Sequence, residues 1–382
     1  MMTDDALMPV ILTPGPVTTS PETRRAMLRD YTPNEPDLLA LTTDIRRYVV
    51  EIAGGGADYT CVLIQGTGNA ANEATLGTLV PRDRRLLVVN NGFYGMRLVE
   101  IACAIDLDVV ALDLPKLEPV RPERVEAALA ADARISHVVV CHVDTGTGVQ
   151  NPIEGIAEAA RRRGVRLIVD AIASFGGLPI DARALGLEAL IASPNKWLEG
   201  VPGLGIAIVR RDALVVAGGR CHSFCLDLHR QWLSFEQSGH WRFTPPTHAA
   251  AALATALRSH ASEGGPARLA RVRANWRCLV DGLRALGLET VIDDEAASPV
   301  IATFHEPADP AYDRAAFFEA MRRRGFVTFR GCLTKVPTFR IGCMGVFGPD
   351  VMAQVVQAVG EAMAEMGVRD CKRAPRDAAA SV

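Results

Sequence analysis

Short apolar runs alternate with stretches of helical periodicity through the first half of the chain. Six runs rich in valine, isoleucine and leucine predict buried strands: YTCVLIQ (59–65), RLLVVN (85–90), DVVALDL (108–114), SHVVVCHV (136–143), VRLIVDA (165–171) and EALIAS (188–193). Helical patterns lie between them, at about 69–79, 94–105, 121–131 and 153–163. Near-continuous apolar strands that alternate with helices are typical of a parallel sheet covered on both faces. The pattern therefore predicts an α/β domain.

The character of the chain changes after a long helical stretch, TPPTHAAAALATALRSHASEGG, which two glycines end. The segment that follows predicts these elements: a helix, strands near 291 and 300–304, a helix at 313–324, and strands in FVTFR and TFRIG. We therefore predict a large domain over residues 20–255 and a smaller α+β domain over residues 256–368, to which residues 9–19 return. Residues 369–382 are polar and alanine-rich, so we expect a disordered tail there.

Composition and charge narrow the class of protein. The chain has 382 residues, 22% of them charged, and a formal net charge of −3. This balance gives no reason to expect a nucleic acid or an anionic membrane as partner. No apolar run approaches the ~18–20 residues of a membrane span, and the acidic start MMTDDALMPVIL is unlike a signal peptide. The nine cysteines lack metal-ligand spacing, so we expect no metal site and a reduced, cytoplasmic protein.

A glycine-rich turn, QGTGNAANEA (65–74), is the first candidate site, because it joins a predicted strand to a predicted helix. It fits the G-x-G-x-x-A pattern of dinucleotide binding, but that pattern also needs an acidic residue after the next strand. This chain has Asn90 and Asn91 there. A single phosphate fits better, since free N–H groups and the helix dipole favour an anion, with a hydroxyl from Thr67 and a cap from Asn69. A tight turn without ligand is the alternative.

Two charged residues follow predicted strands of the same sheet. Asp170, in LIVDAIASFGG, ends one strand, and Lys196, in SPNKWLEGVPG, follows the next. The carboxyl ends of parallel strands meet at one edge, so both should lie near the glycine-rich turn, although a surface loop would also explain the lysine. A phosphate cradle, a carboxylate for a ring nitrogen and a lysine that condenses with an aldehyde are what pyridoxal phosphate requires. Phe93 and Tyr94 offer an aromatic face for the ring.

These motifs resemble those of the class V, fold-type I aminotransferases that depend on pyridoxal phosphate, and among them the 2-aminoethylphosphonate–pyruvate transaminases. The resemblance spans about residues 10–365, and SPNKWLEGVPG (193–203) and WRFTPPTH (241–248) are its more specific motifs. It implies an α/β large domain with a mostly parallel sheet, a smaller C-terminal domain, pyridoxal 5′-phosphate as cofactor, and a homodimer with shared active sites. The implied reaction moves the amino group of 2-aminoethylphosphonate, or a close aminophosphonate, to pyruvate, giving phosphonoacetaldehyde and L-alanine.

The resemblance also implies roles for individual residues. Lys196 corresponds to the Schiff-base lysine and Asp170 to the partner of the ring nitrogen. Arg340 corresponds to the arginine that binds the substrate carboxylate, a task that suits a planar bidentate donor, and Arg97 is a weaker candidate for the phosphonate. The other residues implied to bind the cofactor are Thr67, Gly68, Asn69, Tyr94, Thr145, Asn195, Trp241 and Thr244. The last two of these would reach the phosphate from the partner subunit.

Three alternatives stay open at this point. The transaminases that the chain resembles usually have Glu-Thr-Thr where this chain has Asp144-Thr145-Gly146, which leaves the amine donor open, including a reaction of the alanine–glyoxylate type. A desulfurase-like lyase would need a nucleophilic cysteine, for which Cys332 is the candidate. A binding protein that has lost the chemistry is the third alternative, and the presence of both the lysine and the aspartate argues against it.

Overall fold

The computed structural model describes residues 8–331 and 336–373. The strands are β1 Val10–Ile11, β2 Tyr59–Gly66, β3 Arg85–Asn90, β4 Asp108–Asp113, β5 Ile135–Cys141, β6 Arg166–Asp170, β7 Ala189–Ala192, β8 Gly203–Arg210, β9 Ile301–His305, β10 Phe326–Val327, β11 Phe329–Arg330 and β12 Thr338–Gly342. The helices are α1 Pro21–Arg25, α2 Pro36–Ile52, α3 Gly68–Leu79, α4 Phe93–Ala104, α5 Pro122–Ala131, α6 Ile153–Arg162, α7 Arg211–Val215, α8 Leu228–Ser238, α9 Thr247–Glu263, α10 Gly265–Ala285, α11 Arg314–Arg323 and α12 Pro349–Met366.

A seven-stranded sheet of order β2-β8-β7-β6-β5-β3-β4 forms the centre of the larger unit. Strands β3 to β7 are mutually parallel, and β8 runs antiparallel between β7 and β2. The central strands carry apolar side chains on both faces and are buried on both, as continuous Val/Ile/Leu runs require. The predicted α/β fold with a mostly parallel sheet is confirmed, and each of the six predicted strands lies in this sheet.

Strand β8 was not among the predicted strands. Its sequence, GLGIAIVR, has glycines at 203 and 205 that interrupt the apolar run. The second glycine has a packing reason, because a Cβ on Gly205 would lie 2.9 Å from the Cβ of Ala71 and 3.0 Å from the carbonyl oxygen of Thr67. Helix α3 therefore crosses β8 at a distance that only glycine permits.

The smaller unit is built around a three-stranded antiparallel sheet of order β11-β12-β9. Its core includes the rings of Phe304, Phe317 and Phe339. The ring centroid of Phe339 lies 5.6 Å from that of Phe304 and 5.0 Å from that of Phe317. Strand β1 pairs in parallel with β10, so the N-terminal segment lies with this unit. The strand predicted near 291 is reduced to a single bridge between Thr290 and Phe304.

The division into two domains remains a proposal. Buried side chains fall into two clusters, one around the large sheet and one around the small sheet with helices α10 to α12. The predicted boundary at residues 255 and 256 lies inside helix α9, whose buried face packs with the larger cluster. At the start of the predicted disordered tail, the backbone N–H of Arg369 donates to Asp309 Oδ2 at 2.8 Å, and the disorder of the tail stays a prediction. Residues 374–382 lie outside the described part of the chain.

Candidate active site

Lys196 lies in the loop between β7 and β8, at the carboxyl edge of the large sheet. Only 7% of the residue is exposed, and its Nζ atom donates a hydrogen bond of 2.5 Å to the carbonyl oxygen of Pro14. Burial lowers the pKa of this lysine to about 8, with nearby Asp170 opposing the shift and Arg340 adding to it. A lysine with such a pKa is partly uncharged near neutral pH and can act as a nucleophile.

Asp170 ends β6 and is 2% exposed. Its Oδ2 atom accepts a hydrogen bond of 2.8 Å from Asn72 Nδ2, and its Oδ1 atom accepts one of 3.0 Å from the backbone N–H of Ile172. Burial nevertheless raises the pKa of Asp170 to about 6, since two neutral donors do not replace the hydration of a carboxylate. A cation facing this carboxylate would therefore be strongly favoured. No motif in the sequence distinguishes Asn72, which lies one turn into α3.

The glycine-rich turn forms the start of helix α3. Thr67 is the N-cap residue, and within the described part of the chain no side chain caps the first N–H groups of this helix. The prediction that Asn69 caps the helix is therefore wrong, because Asn69 already lies within the first turn. A Cβ on Gly68 would lie 2.3 Å from Ile172 Cδ1, so glycine lets α3 approach the loop that follows Asp170. The helix end and the carboxylate are thereby placed side by side.

Asp144 fixes the start of helix α4, which carries Tyr94. Its Oδ2 atom accepts a hydrogen bond of 2.8 Å from the Tyr94 N–H, and its Oδ1 atom accepts one of 2.7 Å from the Gly146 N–H. Burial raises the pKa of the Asp144 carboxyl, and these backbone donors oppose that shift. Burial also raises the pKa of the Tyr94 phenol, and the neighbouring Thr145 side chain opposes that shift. Asp144 was noted in the sequence only as a departure from a motif, and its role as a cap needed the structure.

Arg340 reaches this cluster from strand β12 of the smaller unit. It is 2% exposed. Its Nη1 atom donates to the carbonyl oxygen of Thr145, and its Nε atom donates to that of Arg330 at 3.1 Å. The guanidinium carbon lies 5.0 Å from the ring centroid of Phe329. The two units thus meet with a lysine, two carboxylates and an arginine at one buried place.

Arg97 is not brought to this cluster. Its Nε atom lies 3.3 Å from Glu100 Oε2, and its guanidinium carbon lies 5.1 Å from the ring centroid of Phe93. More than a third of its side chain is exposed. In the described chain these anionic and aromatic partners lie on the same helix as Arg97, and its expected contact with a substrate anion stays a prediction.

Three other residues that were predicted to bind the cofactor, Asn195, Trp241 and Thr244, lie in different surroundings. Asn195 lies beside the lysine and accepts a hydrogen bond of 2.9 Å from Ser193 Oγ. Trp241 donates from Nε1 to Thr42 Oγ1 at 3.2 Å. Thr244 is exposed, and within the described chain neither Thr244 nor Trp241 is hydrogen-bonded to the cluster around Lys196. Their expected contact with the partner subunit's cofactor stays a prediction.

Two of the remaining expectations concern metals and membranes. Residues 8–331 and 336–373 contain no group of three or more His, Cys, Asp or Glu side chains that could hold a metal ion. Over the same ranges, none of the helices combines the length and the apolar character that crossing a membrane requires. Cys332, the candidate nucleophile of a desulfurase, lies outside the described residues.

Comparison with known proteins decides the family. The sequence profile described as aminotransferase class-V matches residues 35–320 of this chain. The chain belongs to the class V aminotransferase family. A Burkholderia pseudomallei (strain 1106a) protein named 2-aminoethylphosphonate–pyruvate transaminase is 50% identical over 361 residues, which cover 94% of this chain and 98% of that protein.

Solved structures agree with this family assignment. The pyridoxamine–pyruvate aminotransferase of Mesorhizobium loti superimposes with a TM-score of 0.87 at 27% identity, over 97% of this class V aminotransferase and 95% of that chain. The alanine–glyoxylate aminotransferase of a Nostoc species superimposes with a TM-score of 0.86 at 25% identity, over 93% and 95% of the two chains. The family, and with it the fold-type I architecture, implies pyridoxal 5′-phosphate as cofactor.

The residues at the sheet edge fit this cofactor. The uncapped start of α3 offers N–H donors for a phosphate. Asp170, whose pKa is raised by burial, would gain from a protonated ring nitrogen opposite it. Asn72 Oδ1, a buried atom without a hydrogen-bond partner among the described residues, leaves one more acceptor beside that carboxylate. Lys196 would supply the amine that binds the aldehyde.

Proposed function

We propose that this class V aminotransferase moves the amino group of 2-aminoethylphosphonate, or a close aminophosphonate, to pyruvate, with phosphonoacetaldehyde and L-alanine as products. The observation that carries the chemistry is the buried amine of Lys196 at the sheet edge where Asp170 and Arg340 meet. The choice of substrates is supported by the relative of that name, which is half identical over nearly the whole chain.

Each residue of the cluster has a separate task in this proposal. Pyridoxal 5′-phosphate, when bound, supplies the aldehyde and an electron-accepting ring. The Nζ atom of Lys196, with its pKa of about 8, can take up and release a proton near neutral pH. The carboxylate of Asp170 holds a protonated nitrogen opposite it. The α3 N-terminus, with Thr67 and Gly68, holds the phosphate, and the ring of Tyr94 gives the cofactor an apolar face.

Arg340 is the proposed anion-binding residue of the site. Its burial makes a hydrogen bond to a carboxylate stronger than it would be in water, and a substrate that lacks an anionic group would forgo that bond. Its backbone partners, the carbonyl oxygens of Thr145 and Arg330, fix the plane of the guanidinium. Because Arg340 is 2% exposed and lies near Lys196 and Asp144, whereas more than a third of the Arg97 side chain is exposed, we assign the substrate anion to Arg340 in preference to Arg97.

A homodimer with shared sites is part of the proposal. The rings of Phe224 and Phe243 lie 5.6 Å apart, with Arg242 against both, and Phe224 is 67% exposed. Exposed aromatic surface of this kind is typical of protein contacts, and it adjoins Thr244, the residue expected to reach the partner subunit. Sedimentation at twice the mass of one chain would support the dimer. The free cysteines of the described chain fit the proposed cytoplasmic location.

A panel of amines tests the substrate proposal. Purified enzyme is mixed with 2-aminoethylphosphonate, β-alanine or taurine, each followed by pyruvate or glyoxylate, and the absorbance of the bound cofactor is recorded. We expect 2-aminoethylphosphonate to bleach the absorbance fastest and pyruvate to restore it. Ammonia release without a keto acid would indicate a lyase. No spectral change with any amine would indicate a binding protein.

A further inference from the structure

Four charged side chains form a network behind the loop that carries Lys196. Glu263 Oε2 accepts a hydrogen bond of 2.7 Å from Arg268 Nε, and Glu263 Oε1 accepts one of 2.7 Å from Arg271 Nε. Glu199 Oε1 accepts one of 2.9 Å from Arg271 Nη2, and its Oε2 atom lies 3.4 Å from Arg268 Nη2. Arg268 is 1% exposed and Glu199 is 6% exposed. The two carboxylates and two guanidiniums therefore form a closed, largely buried set.

One side of the network holds the lysine loop. Arg268 Nη1 donates a hydrogen bond of 2.6 Å to the carbonyl oxygen of Trp197, the residue next to Lys196. The backbone N–H of Glu199 donates to the carbonyl oxygen of Lys196 at 2.9 Å. Glu199 has a φ of 55°, which residues other than glycine rarely adopt. Such a conformation persists where the surroundings hold it in place, and here the two arginines bind its side chain.

The other side of the network holds the segment that follows the Arg340 strand. Arg271 Nη1 donates to the carbonyl oxygens of Gly345 at 2.5 Å and Phe347 at 3.2 Å. Asn275, one turn further along α10, donates to the carbonyl oxygen of Cys343 at 3.0 Å. Strand β12, with Arg340, ends at Gly342. Helix α10 thus contacts the lysine loop and the continuation of β12 through the same arginine.

We propose that Glu199, Glu263, Arg268 and Arg271 are positioning residues that set the separation between Lys196 and Arg340. None of the four is assigned a contact with substrate or cofactor. The inference rests on the proposed function, because it assumes that the lysine reacts while the arginine holds the substrate anion. Buried ion pairs add little stability compared with apolar packing, but their geometry is specific. Reacting groups need such placement, since an error of about 1 Å can cost about a hundredfold in rate.

The test compares two buried glutamates that flank strand β7. Glu199→Gln removes a charge from the network. Glu188→Gln is the matched control, because Glu188 is equally buried and pairs with His137 at 2.7 Å and Arg166 at 2.9 Å. It lies at the opposite edge of the sheet, before β7 begins. Arg271→Lys is a second variant, for the case that Glu199→Gln does not fold. It keeps the positive charge but lacks the guanidinium group, which in Arg271 reaches both the lysine loop and the carbonyl oxygen of Gly345.

Three quantities are measured on the full-chain holoenzyme. The first is kcat/KM for pyruvate, the second is the dissociation constant of propionate, a carboxylate that neither accepts nor gives an amino group, and the third is amide hydrogen exchange over residues 193–203. For Glu199→Gln and Arg271→Lys we expect kcat/KM to fall at least about tenfold, with the propionate constant within about threefold of wild type and faster exchange in the loop. For Glu188→Gln we expect all three quantities to stay within about threefold of wild type.

Each other outcome overturns the inference. Equal effects of Glu199→Gln and Glu188→Gln would mean that the network contributes only general stability. A propionate constant that weakens in parallel with kcat/KM would mean that these residues act on anion binding itself. Unchanged exchange over 193–203 would mean that the network does not hold the loop. The proposed function fails separately, in the wild-type enzyme, if pyruvate accepts no amino group from any donor, and the exchange measurement remains decisive in that case.

Discussion

The side chain of Lys196 lies directly against Pro14 and Gly15, in a segment 182 residues earlier in the chain. The amine donates to the Pro14 carbonyl oxygen, and a Cβ on Gly15 would lie 2.4 Å from Lys196 Cδ and 2.5 Å from its Nζ. The backbone N–H of Gly342 donates to the carbonyl oxygen of Leu12 at 2.7 Å, which anchors this segment on the strand of Arg340. The N-terminal segment therefore forms one wall of the lysine's pocket.

Gly15→Ala should displace the lysine. The added methyl group overlaps its side chain, and the φ of 129° at Gly15 also disfavours any other residue. We expect the Gly15→Ala variant to lose most of its bound cofactor, measured as the cofactor absorbance per protein chain after desalting. The control is Gly265→Ala, since a Cβ there meets no atom within 4 Å, and it should retain cofactor as the wild type does. Full retention of cofactor by Gly15→Ala would contradict the claim that the N-terminal segment forms one wall of the lysine's pocket.

Asp170→Asn should stabilise the protein without cofactor and impair the loaded enzyme. A folded-state pKa of about 6, raised from 3.8, means that protonation of Asp170 stabilises the fold, and that this stability is lost as pH rises from 3.8 through about 6. Asparagine carries no such charge, so at pH 8 we expect cofactor-free Asp170→Asn to be more stable by about 1–3 kcal/mol. The unpartnered Asn72 Oδ1 can then accept from the new amide after a flip.

Thermal unfolding and steady-state kinetics check this second prediction. The loaded variant should lose at least about a hundredfold in kcat, because the cofactor's ring nitrogen loses its anionic partner. Asp58→Asn is the control, since Asp58 is exposed and pairs with Arg183 at the surface, and it should change neither quantity. A variant that turns over normally would show that Asp170 does not face the cofactor.

The variants Arg340→Lys and Arg97→Lys distinguish the roles of the two arginines in substrate binding. Lysine keeps the charge but lacks the bidentate fork, so we expect Arg340→Lys to lower kcat/KM for pyruvate by about tenfold to a hundredfold. Arg97→Lys should change both half-reactions by less than about threefold, because Arg97 is held by Glu100 and lies over Phe93. A loss confined to the amine half-reaction in Arg97→Lys would restore Arg97 as the phosphonate-binding residue.

The sequence was informative wherever the determinant is local. Apolar runs predicted six strands of the large sheet, and residue order alone placed Asp170 and Lys196 at its carboxyl edge, because the ends of parallel strands coincide. Strand β8 was not predicted, because Gly205 interrupts its apolar run where α3 packs closely over it. In the sequence alone, such a glycine resembles a turn residue. The sequence also predicted the N-cap of α3 at Asn69, whereas the structure has it at Thr67. The two positions are only two residues apart in the chain.

The rest of the site depends on contacts between distant segments. Asn72 supports Asp170 across 98 residues, and Arg340 binds the carbonyl oxygen of Thr145 across 195. Neither pairing has a local periodicity or a motif spacing that a single sequence could display. Arg97 illustrates the converse, since the resemblance implied that it binds the phosphonate, while its side chain pairs with Glu100 one helical turn away.

Transfer of labelled nitrogen tests the central claim most directly. Wild-type enzyme and Lys196→Ala are incubated with ¹⁵N-labelled 2-aminoethylphosphonate and pyruvate, and ¹⁵N-alanine and phosphonoacetaldehyde are quantified by NMR and mass spectrometry. We predict that the wild type forms the two products in equal amounts and that Lys196→Ala forms neither above background. Wild-type enzyme that leaves 2-aminoethylphosphonate unchanged but labels alanine from another amine would contradict the substrate assignment, and labelled alanine from Lys196→Ala at the wild-type rate would contradict the active site itself.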